Sequence, residues 1–92
     1  MHITIEYVAQ IKRAAGTGKE TVELSDGATL KETLSSLAEK HGDPLAGMLL
    51  AADGNPINSL LIFLGEDQVR IEENPVLAEG AVLTISTPIS GG

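Results

Sequence analysis

The sequence predicts an α+β domain in which a mixed sheet of about five strands carries one main helix across one face. Three patterns point to this architecture. Apolar residues recur at every second position near the start, at helical spacing in the first half, and at every second position again near the end. Ninety-two residues are enough for one domain with one small core. Because Tyr7 and Phe63 are the only aromatic residues, that core is expected to be built from Ile, Leu and Val.

Ile3, Ile5, Tyr7, Ala9 and Ile11 alternate, which predicts a first strand with one buried face. Lys12 to Lys19 contains Ala14-Ala15-Gly16-Thr17-Gly18, a turn-rich connection. Glu20 to Leu24 then alternates again with Val22 and Leu24 on one side, so the two strands form a hairpin. Ser25-Asp26-Gly27 makes a turn, and Thr29 with Glu32 has the spacing of a capping box, so a helix begins at Leu30. Leu30, Leu34, Leu37, Ala38 and His41 share one face, Lys31, Glu32, Ser35, Ser36, Glu39 and Lys40 take the other, and Gly42 is the expected C-terminal cap.

Asp43-Pro44 opens a short, weakly helical segment through Leu50, with Leu45, Met48 and Leu49 apolar, ending at the turn signal Ala52-Asp53-Gly54-Asn55-Pro56. Leu60 to Leu64 reads as a strand, Gly65-Glu66-Asp67 as a turn, and Gln68 to Ile71 as its short partner. A loop from Glu72 to Gly80 leads to a last strand, Val82 to Thr87, which Pro88 ends by withholding an N–H. The run Leu60-Leu61-Ile62-Phe63-Leu64 does not alternate, so both of its faces are apolar. Either the strand is covered on both sides, or one face lies open and marks a partner site.

Thirteen acidic against six basic residues give a net charge of -7, and no basic stripe or set of stacking aromatics is available for a phosphate backbone. Nucleic acid is not an expected partner. Neither is a membrane, since no apolar run approaches the roughly 18 residues of a span, and Met1-His2-Ile3 opens directly into a strand pattern without a basic leader. The absence of cysteine excludes disulfides, thiolate metal sites and cysteine nucleophiles, in keeping with a cytoplasmic protein.

No set of nucleophile, base and orienting group can be assembled, so no catalytic residue and no metal site is expected, and the chain is read as a non-enzyme. Of the two histidines, His2 lies in the first strand and His41 at the end of the helix, where it meets the negative end of the helix dipole. The chemically distinctive feature is the ending Ser90-Gly91-Gly92. Without side chains, Gly91 and Gly92 can lie extended in a channel too narrow for other residues and present a terminal carboxylate. A carboxylate is a poor electrophile until one oxygen becomes a good leaving group, as adenylation by ATP would make it.

Thr84-Ile85-Ser86-Thr87-Pro88-Ile89-Ser90-Gly91-Gly92 resembles the strand, proline, aliphatic, small residue, Gly-Gly ending of the ubiquitin-like sulfur carriers. That family includes the small subunit of molybdopterin synthase and the thiamine and cysteine-biosynthesis sulfur carriers. Leu77-Ala78-Glu79-Gly80 resembles the family's late turn, and Ile62 to Arg70 its third strand and hairpin. Leu61-Ile62-Phe63-Leu64-Gly65 is also similar to the hydrophobic-patch strand of ubiquitin, which implies Leu61 and Phe63 inward and Ile62 outward.

The resemblance implies a ubiquitin-like β-grasp domain over residues 1–87 and a flexible tail over residues 88–92. It implies that Gly92 is adenylated by an E1-like enzyme that consumes ATP, and is converted to a thiocarboxylate that donates sulfur to a synthase or large subunit. Gly91, Ser90, Ile89 and Pro88 would present the tail, and Ile62, Leu60 and Phe63 would dock the partner, with no cofactor bound by the chain itself. Two other roles stay open at this point. One is a protein modifier joined to lysines through Gly92, and the other is an interaction module with an inert tail.

Overall fold

The computed structural model describes residues 1–87. Its strands are β1 (His2–Val8), β2 (Lys19–Glu23), β3 (Leu61–Leu64), β4 (Asp67–Val69) and β5 (Val82–Ser86), and its α-helices are α1 (Gln10–Ala15), α2 (Leu30–His41) and α3 (Leu45–Leu49). The five strands form one sheet in the order β2-β1-β5-β3-β4. β1 and β5 run parallel, and every other neighbouring pair is antiparallel. This is the mixed sheet that the sequence pattern predicts, with the β-grasp arrangement implied by the resemblance.

Most of the elements follow from local chemistry. In β1, Ile3, Ile5 and Tyr7 are buried while the residues between them face the other side. α2 starts at a complete capping box: the Glu32 N–H donates to the Thr29 hydroxyl, and the Thr29 N–H donates to the Glu32 carboxylate at 2.9 Å. Its buried stripe is Leu30, Leu34, Leu37 and Ala38, as the helical spacing predicts, with Thr33 added. Thr33 is tolerated there because its hydroxyl donates to the Thr29 carbonyl at 2.9 Å. Between β3 and β4 only Gly65 and Glu66 turn the chain, since Leu64 already pairs with Asp67, and Gly65 supplies the positive φ of 63° that so tight a turn needs.

One expectation fails at the N-terminal connection. The alternation through Ala9 and Ile11 predicts a strand as far as Ile11, but β1 stops at Val8 and α1 occupies Gln10–Ala15. Ala9 adopts φ 60°, ψ -132° and redirects the chain, after which a helical turn carries Ile11 into the core. Inward placement of Ile11 satisfies a period of two and a helical turn equally well, so its position could not separate them. At the other end, a 3₁₀ turn over Ile71–Glu73 replaces the end of the expected fourth strand, burying Ile71.

Sixteen buried side chains form a single hydrophobic cluster, to which every strand except β4 and all three helices contribute. Ile3, Ile5, Tyr7, Leu83, Ile85 and Ile62 cover the sheet side, and Leu30, Leu34, Leu37, Leu45 and Leu49 the helix side. Among the described residues, the opposite face of the sheet carries no element.

Candidate functional site

The open face is defined by the register. Across it, Lys19, Glu6, Thr84, Phe63 and Gln68 lie in one row through β2, β1, β5, β3 and β4. The next row holds Val8, Ser86 and Leu61. Val8 is 45% exposed and Val82 36%, and Leu61 and Phe63 are half-buried, so an apolar strip runs along β5 and its neighbours. The Thr84 hydroxyl donates to the Glu6 carboxylate at 3.3 Å within the same surface.

This register corrects the expected docking face. Ile62 pairs with Ile85, which pairs with Tyr7; all three are buried, so Ile62 belongs to the core face. Leu60 is buried as well. The ubiquitin-type orientation is therefore reversed: Ile62 points inward, and alternation sends Leu61 and Phe63 to the open side. Of Ile62, Leu60 and Phe63, only Phe63 reaches the surface on which a partner can rest. The unbroken apolar run is explained by its two roles, one set of side chains completing the core and the other lining the open strip.

β5 leads from this strip toward the chain end. Ser86 lies between Val8 and Leu61, and Thr87 is the last described residue. The expected tail residues Pro88, Ile89, Ser90, Gly91 and Gly92 lie outside the described residues.

A second cluster joins the N-terminal hairpin to α2. Glu20 occupies the inward phase of β2, and its carboxylate accepts from the Tyr7 hydroxyl at 2.6 Å and from Lys40 Nζ at 2.7 Å, and meets His41 Nε2 at 2.5 Å. Burial favours the neutral acid, but these donors outweigh it and hold the Glu20 carboxyl down at about 2. Burial, reinforced by the neighbouring carboxylate, pushes the Tyr7 phenol well above its ordinary range. His41 also meets the Tyr7 ring edge-on at 6.0 Å. His41 stands in the last turn of α2, where the dipole expectation puts it, and it meets Glu20 as well, a contact that the inward phase of Glu20 could have signalled, because an acid among Val22 and Leu24 needs donors.

Among the described residues, no group of His, Asp and Glu could hold a metal ion. Nor is any helix among them long and apolar enough to cross a membrane. His2 instead lies near Glu23 and Glu79, at 3.5 and 3.6 Å.

Comparison with known proteins agrees with the fold. The chain is 27% identical to the molybdopterin synthase sulfur carrier subunit of Chlamydomonas reinhardtii, with 100% of both chains covered. In fold it is similar to SAMP1 from Haloferax volcanii, with a TM-score of 0.88, 21% identity and 100% of each chain covered. It is also similar in fold to CysO from Mycobacterium tuberculosis, with a TM-score of 0.67 and 20% identity, covering 95% of this chain and 99% of the other. The family model described as the ThiS family matches residues 5–92. The chain belongs to the ThiS family, the ubiquitin-like sulfur carriers that its late turn and Gly-Gly ending resemble.

Proposed function

We propose that this chain is a sulfur carrier subunit of the molybdopterin synthase type, acting in the cytoplasm as a co-substrate rather than as an enzyme. The observation that carries the reading is the similarity to the Chlamydomonas carrier subunit over the full length of both chains. In this reading residues 1–87 are the body and 88–92 the tail. The Gly92 carboxylate attacks the α-phosphorus of ATP on an E1-like enzyme, pyrophosphate leaves, and an acyl adenylate forms. Hydrosulfide then attacks the carbonyl carbon, AMP leaves with the carbon–oxygen bond that breaks, and loss of the sulfur-bound proton gives a thiocarboxylate that a larger synthase subunit consumes.

The chain binds no cofactor of its own, and ATP is consumed on the activating enzyme. Gly91 keeps the approach slim, and Pro88, Ile89 and Ser90 guide the extended tail. Docking falls to the strip of Phe63, Leu61, Val8 and Val82, which lies beside the strand that leads to the tail. Ile62 and Leu60 support that strip from beneath.

Gly92→Ala, or deletion of Gly91 and Gly92, is expected to leave the melting curve unchanged and to abolish ATP–pyrophosphate exchange with the activating enzyme of the same source. Normal exchange by either variant overturns the reading. Intact mass measurement of the chain from its own cells is expected to show replacement of one oxygen by sulfur. Gly-Gly remnants on lysines of other proteins would instead mark a modifier.

A further inference from the structure

The acidic chain is basic at one end. Lys12 and Arg13 on α1 and Lys19 at the start of β2 are exposed and form no ion pair among the described residues. They sit at the end of the sheet where β5 finishes: Val8 pairs with Ser86, α1 follows two residues later and touches β5, and Lys19 pairs with Glu6. Glu20 at this end is already engaged by Lys40 and His41. At the opposite end lie Glu23, Asp26, Glu66, Asp67 and Glu79, around the start of β1 and the β3–β4 turn.

Between the α1 cations is a shallow cleft of about 450 Å³ lined by Ala9, Lys12, Arg13, Gly16 and Thr17. Its lining is mainly apolar although two of the five residues that form it are cations, which fits side chains that cover a surface with their aliphatic stems.

We propose that this cleft is a second docking point for the activating enzyme, taking an acidic segment with an aliphatic side chain from the rim of that enzyme's tail channel. The inference rests on the carrier reading above. A chain of net charge -7 is repelled by an acidic surface overall, but its charge is separated along the sheet. An acidic rim attracts the α1 end and repels the Glu66–Glu79 end, which turns the tail toward the channel before contact. The cleft and the Phe63 strip then hold the base of the tail from two sides.

The test is steady-state adenylation of the full chain by its activating enzyme, with the wild type measured in parallel. Lys12→Glu/Arg13→Glu is expected to raise KM for the chain about tenfold with kcat unchanged, and to remove most of the weakening that salt causes in the wild type. Lys12→Gln/Arg13→Gln should give a smaller rise of the same kind while retaining the native melting curve, so the effect does not depend on charge reversal disturbing α1. Glu66→Gln, at the far end, should not raise KM. If the wild type is adenylated and both α1 variants keep its KM and salt dependence, the cleft is not a docking point and the carrier reading stands. A rise confined to KM for ATP would assign the cations to the nucleotide and overturn the proposal. If the wild type is not adenylated at all, the carrier reading fails and this inference falls with it.

Discussion

The two faces of one sheet differ in what they are made of. The covered face is almost purely aliphatic, with Ile3, Ile5, Leu83, Ile85 and Ile62 all fully buried under α2 and α3. The open face mixes Val8, Leu61, Phe63 and Val82 with Thr4, Glu6, Lys19 and Thr84, and most of these remain in contact with water. β3 supplies both faces from consecutive residues, Ile62 to one and Phe63 to the other. The difference is one of energetic role: side chains on the covered face hold the fold, and those on the open face contribute less to it, which leaves them free for the docking role given them in the proposed function.

The largest expected effect of breaking this division comes from the covered face. Ile62→Ala removes a fully buried side chain opposite Ile85 and should destabilise the domain by roughly 2–5 kcal/mol, read as a lower midpoint in denaturant with an unchanged slope. A loss below about 1 kcal/mol would show that β3 is not the centre of the core.

The polar edge of the same face comes next. The Glu20 carboxyl is lowered from 4.5 to about 2 in the folded chain, so its contribution is complete above 4.5 and is lost as pH falls toward 2. The loss over that window is of order 2–3 kcal/mol, since each tenfold difference in proton affinity between the folded and unfolded chain is worth about 1.4 kcal/mol. Denaturant midpoints of Glu20→Gln should therefore fall less steeply than those of the wild type between those two pH values. Parallel curves would mean that the Tyr7, Lys40 and His41 contacts do not favour the ionised form.

The smallest stability effect belongs to the open face. Phe63→Ala should cost about 1 kcal/mol or less, because its half-buried ring leaves no internal cavity. The same variant should raise KM for the chain in the adenylation assay. A large loss of stability with unchanged KM would reverse the roles of the two faces.

Most of the fold was legible in local patterns. The capping box at Thr29 and Glu32, the stripe from Leu30 to Ala38 and the alternation of Val82 to Ser86 each admit one regular structure, and each formed it. Ile11 misled because its inward position suits a strand and a helical turn alike, and nothing nearby announces the positive φ of Ala9. The site was less legible. Glu20, Tyr7, Lys40 and His41 come together from three elements, and no local spacing records their meeting.

By itself, then, the sequence determined most of the strands and the main helix, though not the helical turn at Gln10–Ala15, and it determined that the core is aliphatic and that Leu60 to Leu64 is apolar on both sides. Those properties depend on neighbours within a few positions of the chain. Tertiary structure alone decided that Ile62 is core and Phe63 surface, because a uniformly apolar strand can turn either set inward. The choice was made by the pairing of Ile62 with Ile85, far away in sequence, and by the packing of α2 on that face and not the other.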